Sequence, residues 1–135
     1  MSVTCDTSVL VAAIAGWHPA HAPSRAALSQ VRALPAHVLL ECFSVLTRLP
    51  GPHALRPADA AAALEALPFP LLTLSSERHA QLPSILAGSG LKGGAVYDGL
   101  VAATAAEHGY RLLSRDHRAL PTYDAVGVSV QFVEN

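Results

Sequence analysis

GGAVYDGLVAATAAEHGYRLLSRD, residues 93–116, carries two carboxylates in places that helix and strand construction does not demand. A 3.6-residue period over 95–108 predicts a helix whose apolar stripe runs through Tyr97, Leu100, Val101, Thr104 and Ala105, with Gly109 as its stop. Asp98 shares that stripe. It falls in the first turn, where the positive end of the helix macrodipole favours an acid. Tyr110–Ser114 then reads as a short strand, YRLLS, with Asp116 just past its carboxyl end, the edge of a parallel sheet at which ligands bind. Taken singly, each is adequately explained, Asp98 as a helix-start acid and Asp116 as a turn residue. What the pair does depends on the acids elsewhere in the chain.

The amino end repeats the pattern. Ser2–Cys5 is a short β-branched run, and Asp6 follows it into DTSVLVAAIAG, where it can cap a helix through the amides of the next turn. GWHPAHAP, residues 16–23, is a proline-broken loop in which Trp17, His18 and His21 either meet a substrate or fold back on the domain. Ser24 is predicted to cap a second helix to about Leu34, ended by Pro35, and a third helix spans about Ala36 to Leu49. Its apolar face is Val38, Cys42, Val45 and Leu49, with Leu46 beside it. Glu41 lies on that face with no Lys or Arg one turn away, so an ion pair does not account for it. A fourth helix, Pro57–Leu67, a strand at Leu71–Leu74, a fifth helix capped by Ser75 or Ser76, and a last strand over Val126–Val133 complete the reading. Strands alternating with helices predict an α/β fold with a central, mainly parallel sheet flanked by helices.

With 135 residues and no repeat or composition break, the chain is expected to be a single domain over 1–135. It is 51% hydrophobic and 14% charged, with mean hydropathy +0.35, yet Pro, Gly or charge interrupts every apolar run before spanning length. No membrane segment or secretory leader is expected, and Cys5 and Cys42 lack the spacing of a disulfide framework or zinc site, so a reduced, cytoplasmic setting is the default. The net charge of −1 argues against a nucleic-acid partner unless the acids are concentrated in one metal site. Two divalent ions would carry −1 to about +3, leaving the arginines to face phosphate.

Asp6, Glu41, Asp98 and Asp116 thus share a description, two past strand ends and two on inward helix faces. The other acids, Asp59, Glu65, Glu77, Glu107, Asp124 and Glu134, fit exposed faces, first turns or loops. If the four converge with oxygens about 5 Å apart, each pair repels by roughly 3 kcal/mol at an effective dielectric near 20. Protons or a hard cation must then sit among them, and an all-oxygen set selects Mg²⁺ or Mn²⁺ over Zn²⁺.

DTSVLVAAI at the start, the helix bearing Glu41, the VYDGLVAATAAEHGYRLLSRD block and the closing YDAVGV resemble the PIN-domain nucleases, in particular the VapC-like toxins of bacterial toxin–antitoxin pairs. The resemblance spans essentially the whole chain, is strongest at DTS and the Asp98–Asp116 block, and is weakest over 50–92. It implies a three-layer PIN-like fold and a divalent-metal-dependent endoribonuclease with Asp6, Glu41, Asp98 and Asp116 as catalytic and metal-binding residues. Ser8 and Ser114 match small hydroxyl positions beside those acids. The resemblance also implies an RNA substrate, a cognate antitoxin protein and a homodimer. Arg115 and Lys92 are the cations nearest the acids in sequence and could hold a phosphate, although solvated surface charge explains them equally.

Other readings share the strand-end acids. A haloacid-dehalogenase-like phosphatase needs an acid two residues after Asp6, where Ser8 stands. A receiver-like phosphoacceptor module needs an adjacent acidic pair and a late lysine, but Cys5 precedes Asp6 and Lys92 is the one lysine. A non-catalytic PIN-fold module binding RNA or a partner has no use for all four acids. His18 and His21 lack zinc-ligand spacing.

Overall fold

The computed structural model describes residues 1–135. Five short strands, β1 (Val3–Cys5), β2 (Leu34–Pro35), β3 (Leu71–Leu72), β4 (Arg111–Ser114) and β5 (Val130–Phe132), all pair in parallel. β1, β4 and β5 lie side by side in that order, and β2 pairs with β3. The two groups meet where Val31 bridges Val3 and the Arg32 amide donates to the Val3 carbonyl at 2.9 Å. The spatial order is therefore β3-β2-β1-β4-β5. β1 is central, and all three of its residues are buried.

Seven helices flank the sheet: α1 (Thr7–Ile14), α2 (His21–Ala27), α3 (Ala36–Thr47), α4 (Pro57–Glu65), α5 (Ser76–Gly88), α6 (Ala95–Glu107) and α7 (Leu120–Val126). α1 packs on α2 and α3, while α6 packs on α5 and α7. One cluster of 21 buried apolar residues joins the layers, with Leu10, Leu34, Leu46, Leu112 and Leu113 each 1% exposed or less. Each such side chain contributes roughly 1.5–3 kcal/mol of transfer free energy. Gly99 marks the closest helix approach, since a Cβ there would stand 2.7 Å from Leu86 Cδ2 on α5.

Several expected elements are shorter or differ in kind. The helix predicted from Ser24 to Leu34 is α2 followed by a 3₁₀ turn, Leu28–Gln30, and an extended segment into β2. Sheet pairing outweighs helix propensity there, because the Arg32 and Leu34 amides donate to the Val3 and Pro70 carbonyls at 2.9 and 3.0 Å. Ser24 is consequently not a cap. It lies inside α2, fully buried, and its hydroxyl has no hydrogen-bond partner. Over Val126–Val133 the alternation is genuine only from Val130. Val126 instead ends α7, a helix missed in the sequence, which stops where Gly127 takes φ +89°, a conformation other residues rarely adopt. The remaining helices and strands depart from their predicted ends by a few residues.

This topology fixes one edge of the sheet. β1 and β4 run parallel with Cys5 opposite Leu113, so Asp6 and the Ser114–Asp116 segment leave the sheet on the same side. α3 begins where β2 ends, and α6 returns antiparallel into β4, so both helices start at that edge.

Candidate active site at the carboxyl edge of the sheet

Asp6 is the buried member, 4% exposed. It caps α1, its Oδ1 accepting the Val9 amide at 3.3 Å and the Ser8 hydroxyl at 2.5 Å. Its Oδ2 accepts the Tyr123 hydroxyl at 2.7 Å, and Ser114 bonds it as well. Burial raises its pKa, and the Ser114, Ser8, Tyr123 and Val9 donors pull it back. A cap needs only the Val9 bond; three hydroxyls on one carboxylate exceed what helix α1 requires.

Glu41 is half-buried on α3. Its Oε1 accepts the Thr7 hydroxyl, and the His37 Nε2 stands 3.8 Å from Oε2. The expectation that Glu41 lacks a partner is thereby corrected: Thr7 lies 34 residues away in sequence, and His37 sits one turn back, a pairing that a search for Lys and Arg alone passes over. Asp116 accepts the Arg118 amide at 3.1 Å and its Nε at 3.3 Å, while the Asp116 amide donates to Ser114 Oγ at 3.0 Å.

Asp98 connects the group. Its pKa is pushed up to about 6, first by burial, then by the charges of Glu41, Asp116 and Asp6, with Arg118 opposing them. A half-buried helix-start acid on its own would feel the favourable macrodipole and few like charges. Three acids from three other elements therefore act on Asp98 at once. Tyr97, expected in the buried stripe, is instead 53% exposed; the buried face of α6 is Gly99, Val101, Ala102, Thr104 and Ala105.

Beside these acids lies an open cleft of about 520 Å³, lined by Thr7, Ser8, Asp116, Arg115, Arg118 and His18 among others. Asp116 is the one acid of the four that lines it. Thr7 and Ser8 line it too, and their hydroxyls hold Glu41 and Asp6. The Arg115 amide donates to Ser8 Oγ at 2.8 Å and its guanidinium to the Val133 carbonyl at 2.9 Å, which fixes that cation on the cleft wall. Desolvation, and then the charges of Arg115 and His21, lower the His18 pKa. Lys92 is exposed in the loop before α6, so no lysine joins the acids as a receiver domain requires. His117 stacks on Phe132 at 3.9 Å and lies 3.2 Å from Glu134. Trp17 folds onto His53, their rings 4.1 Å apart, and both cysteines are buried thiols.

No three His, Cys, Asp or Glu side chains close on a single point. Asp6 is held by hydroxyls, Glu41 by the Thr7 hydroxyl and Asp116 by Arg118, while Asp98 feels Arg118 only through its charge. The donor chemistry nonetheless fits a hard divalent cation. The set is all oxygen, with no cysteine among it, and Arg118 is the one cation that relieves Asp98. Three residues outside the expected set complete the site: Tyr123, Arg118 and Thr7. The DTS run singled out in the sequence contains Thr7, and Arg118 stands two residues from Asp116; only tertiary pairing reveals Tyr123.

A parallel sheet with acids gathered at its carboxyl edge and helices on its flanks is the plan of a PIN domain. The PIN domain family model matches residues 3–125, and the chain belongs to that family. Among its relatives is Ribonuclease VapC27 of Mycobacterium tuberculosis, 48% identical over 127 residues that cover 93% of this chain and 92% of that protein. In fold it is similar to VapBC2 from Rickettsia felis bound to a DNA fragment from its promoter, with TM-score 0.71 and 16% identity over 99% of this chain and 100% of that one. It also resembles VapBC-5 of M. tuberculosis, a member of the VapBC family of toxin–antitoxin systems, with TM-score 0.59 and 21% identity over 98% of both chains. No helix is long and apolar enough to cross a membrane.

Proposed function

We propose that this chain is a divalent-metal-dependent endoribonuclease, the toxin of a toxin–antitoxin pair, and that Asp6, Glu41, Asp98 and Asp116 are its catalytic and metal-binding residues. The observation that carries this reading is that the fold brings the four acids to one edge of the parallel sheet, where burial and then the charges of Glu41, Asp116 and Asp6 push the Asp98 pKa up. The name of the VapC27 relative supports the RNA-cleaving activity. Residues 1–135 act as one PIN-like unit.

In-line hydrolysis of a phosphodiester needs an activated water, charge relief at the phosphoryl oxygen and a stabilised leaving oxygen. The four carboxylates would hold Mg²⁺ or Mn²⁺, which supplies Lewis acidity and cancels their repulsion. Protein groups perform the rest. Tyr123, Ser8 and Ser114 hold Asp6 in one orientation, and Thr7 does the same for Glu41. Arg115, fixed by Val133, offers a positioned charge to a phosphate in the cleft. Arg118, held only at Asp116 and largely exposed, can turn to the same phosphate.

The VapBC toxin–antitoxin system among the structural neighbours supports a protein partner. We place the cognate antitoxin on the groove between α3 and α4, about 260 Å³, where Leu39, Phe43, Ala61 and Leu64 gather and Leu40 is 69% exposed. Two copies of the chain pair as a homodimer, and the protein works in the cytoplasm.

The decisive experiment incubates the purified chain, free of antitoxin, with cellular RNA in Mg²⁺ or Mn²⁺ and with chelator, and maps the ends. Metal-dependent cuts that Asp6→Asn and Asp98→Asn abolish are expected. Cuts of equal rate in chelator, or in either variant, would refute the assignment.

A further inference from the structure

We infer that Tyr97 and His37 form a stacking platform for an unpaired nucleobase of the nucleotide adjoining the scissile phosphate, an inference that rests on the nuclease reading above. The two rings are stacked in parallel, with centroids 5.3 Å apart and planes 6° from each other. The His37 side chain is 23% exposed and Tyr97 is 53% exposed, so His37 backs the tyrosine and the open ring surface belongs to Tyr97. Such backing holds the phenol flat. An aromatic face fixed in this way binds a base with little loss of side-chain freedom.

The placement ties the platform to the acids. His37 is one turn before Glu41 on α3, its Nε2 3.8 Å from that carboxylate, and Tyr97 immediately precedes Asp98 on α6. The stack therefore joins the two helices that carry Glu41 and Asp98, and a base resting on Tyr97 would leave its phosphate within reach of those acids. In a duplex both faces of a base are already covered, so a platform of this kind selects single-stranded or looped RNA. Because every base has a π face, it tolerates all four bases and favours purines only by their larger area. A core-packing role does not explain the ring, since half of it faces solvent on a helix whose buried residues lie elsewhere. Tyr97 also borders an apolar groove between α5 and α6 with Leu82, Leu86, Val96 and Leu100, so a protein contact is the competing explanation.

The test compares wild type, Tyr97→Phe and Tyr97→Leu on single-stranded oligoribonucleotides that contain a mapped cut site, with 2-aminopurine or an abasic residue moved through the flanking positions. Tyr97→Phe is expected to stay within about 2-fold of wild type, and Tyr97→Leu to raise KM by about 5- to 100-fold with kcat little changed. 2-Aminopurine at one flanking position should be quenched by wild type and not by Tyr97→Leu. An abasic residue at that position should make the two proteins equal. Equal KM for Leu and Tyr on the intact RNA, or a KM penalty that persists on abasic RNA, overturns the platform. A changed molar mass of Tyr97→Leu in light scattering with unchanged KM also overturns it, assigning the ring to a protein contact. If the wild type cuts no RNA, the nuclease reading fails separately. Quenching measured in chelator then decides the platform alone, its presence supporting the stack and its absence overturning it.

Discussion

Replacing Asp98 by asparagine removes a charge that the metal-free protein holds at a cost. A rise from 3.8 to about 6 corresponds to roughly 3 kcal/mol at about 1.4 kcal/mol per pH unit. Because Asp98 is only half-buried, solvent screening reduces this to about 1–2 kcal/mol. The sign follows from proton linkage. Between the unfolded pKa near 3.8 and the folded value near 6, the folded state binds more protons than the unfolded chain. Stability from this group is complete below about pH 4 and is lost as pH rises through about 6. Asp98→Asn should therefore melt about 3–8 °C above wild type in chelator at pH 7, and the gap should close as pH falls toward 4. Differential scanning calorimetry across pH 4–8 reads both. A variant that melts at or below the wild-type temperature at pH 7, or a gap independent of pH, would show that Asp98 is not under the combined field of Glu41, Asp116 and Asp6.

Millimolar Mg²⁺ or Mn²⁺ should reverse that order, stabilising wild type by roughly 3 kcal/mol at a hundredfold excess over Kd and Asp98→Asn by much less; thermal shift with and without metal reads it, and equal shifts would count against Asp98 as a ligand. Tyr123→Phe deletes a hydroxyl that donates to a buried carboxylate, and a loss of about 1–2 kcal/mol is expected in urea denaturation with an unchanged slope, the lower part of the range for charged acceptors because Ser8, Ser114 and Val9 still bond Asp6. Ser24→Ala removes a buried hydroxyl without a partner and should leave stability unchanged or raise it by up to about 1 kcal/mol. A loss above 1 kcal/mol on thermal melting would reveal a bond to the Ser24 hydroxyl.

The backbone plan was readable from the sequence where local signals and tertiary pairing agree. Val3–Cys5 with Asp6 behind it, Arg111–Ser114 with Asp116 behind it, and the α6 period all satisfy their local preferences in the folded chain. Legibility failed where a partner distant in sequence decides the conformation. Residues 31–35 become extended because Val3 and Pro70 accept their amides, which no window around residue 31 contains. α7 went unseen because its seven residues, LPTYDAV, offer too few turns for a helical period to stand out from the alternation that follows. In the site, the acids were visible as polar groups on apolar faces. Tyr123 was not, since a buried tyrosine is ordinary until its hydroxyl is seen to end on Asp6, 117 residues earlier. The partners of Glu41 are a hydroxyl and a histidine, which are weaker sequence signals than a guanidinium. The Tyr97 error came from an unbroken period that has no means of marking which aromatic meets solvent.

The Asp6–Tyr123 bond also sets a schedule for synthesis. β1 leaves the ribosome well before its partner β4, which begins at Arg111, and the phenol that steadies Asp6 arrives at position 123. At about 5–20 residues per second, roughly 6–23 s separate translation of that aspartate from translation of its tyrosine. A chain that stops short of Tyr123 consequently carries Asp6 without the group that orients it, and the cleft is completed only once both have been made.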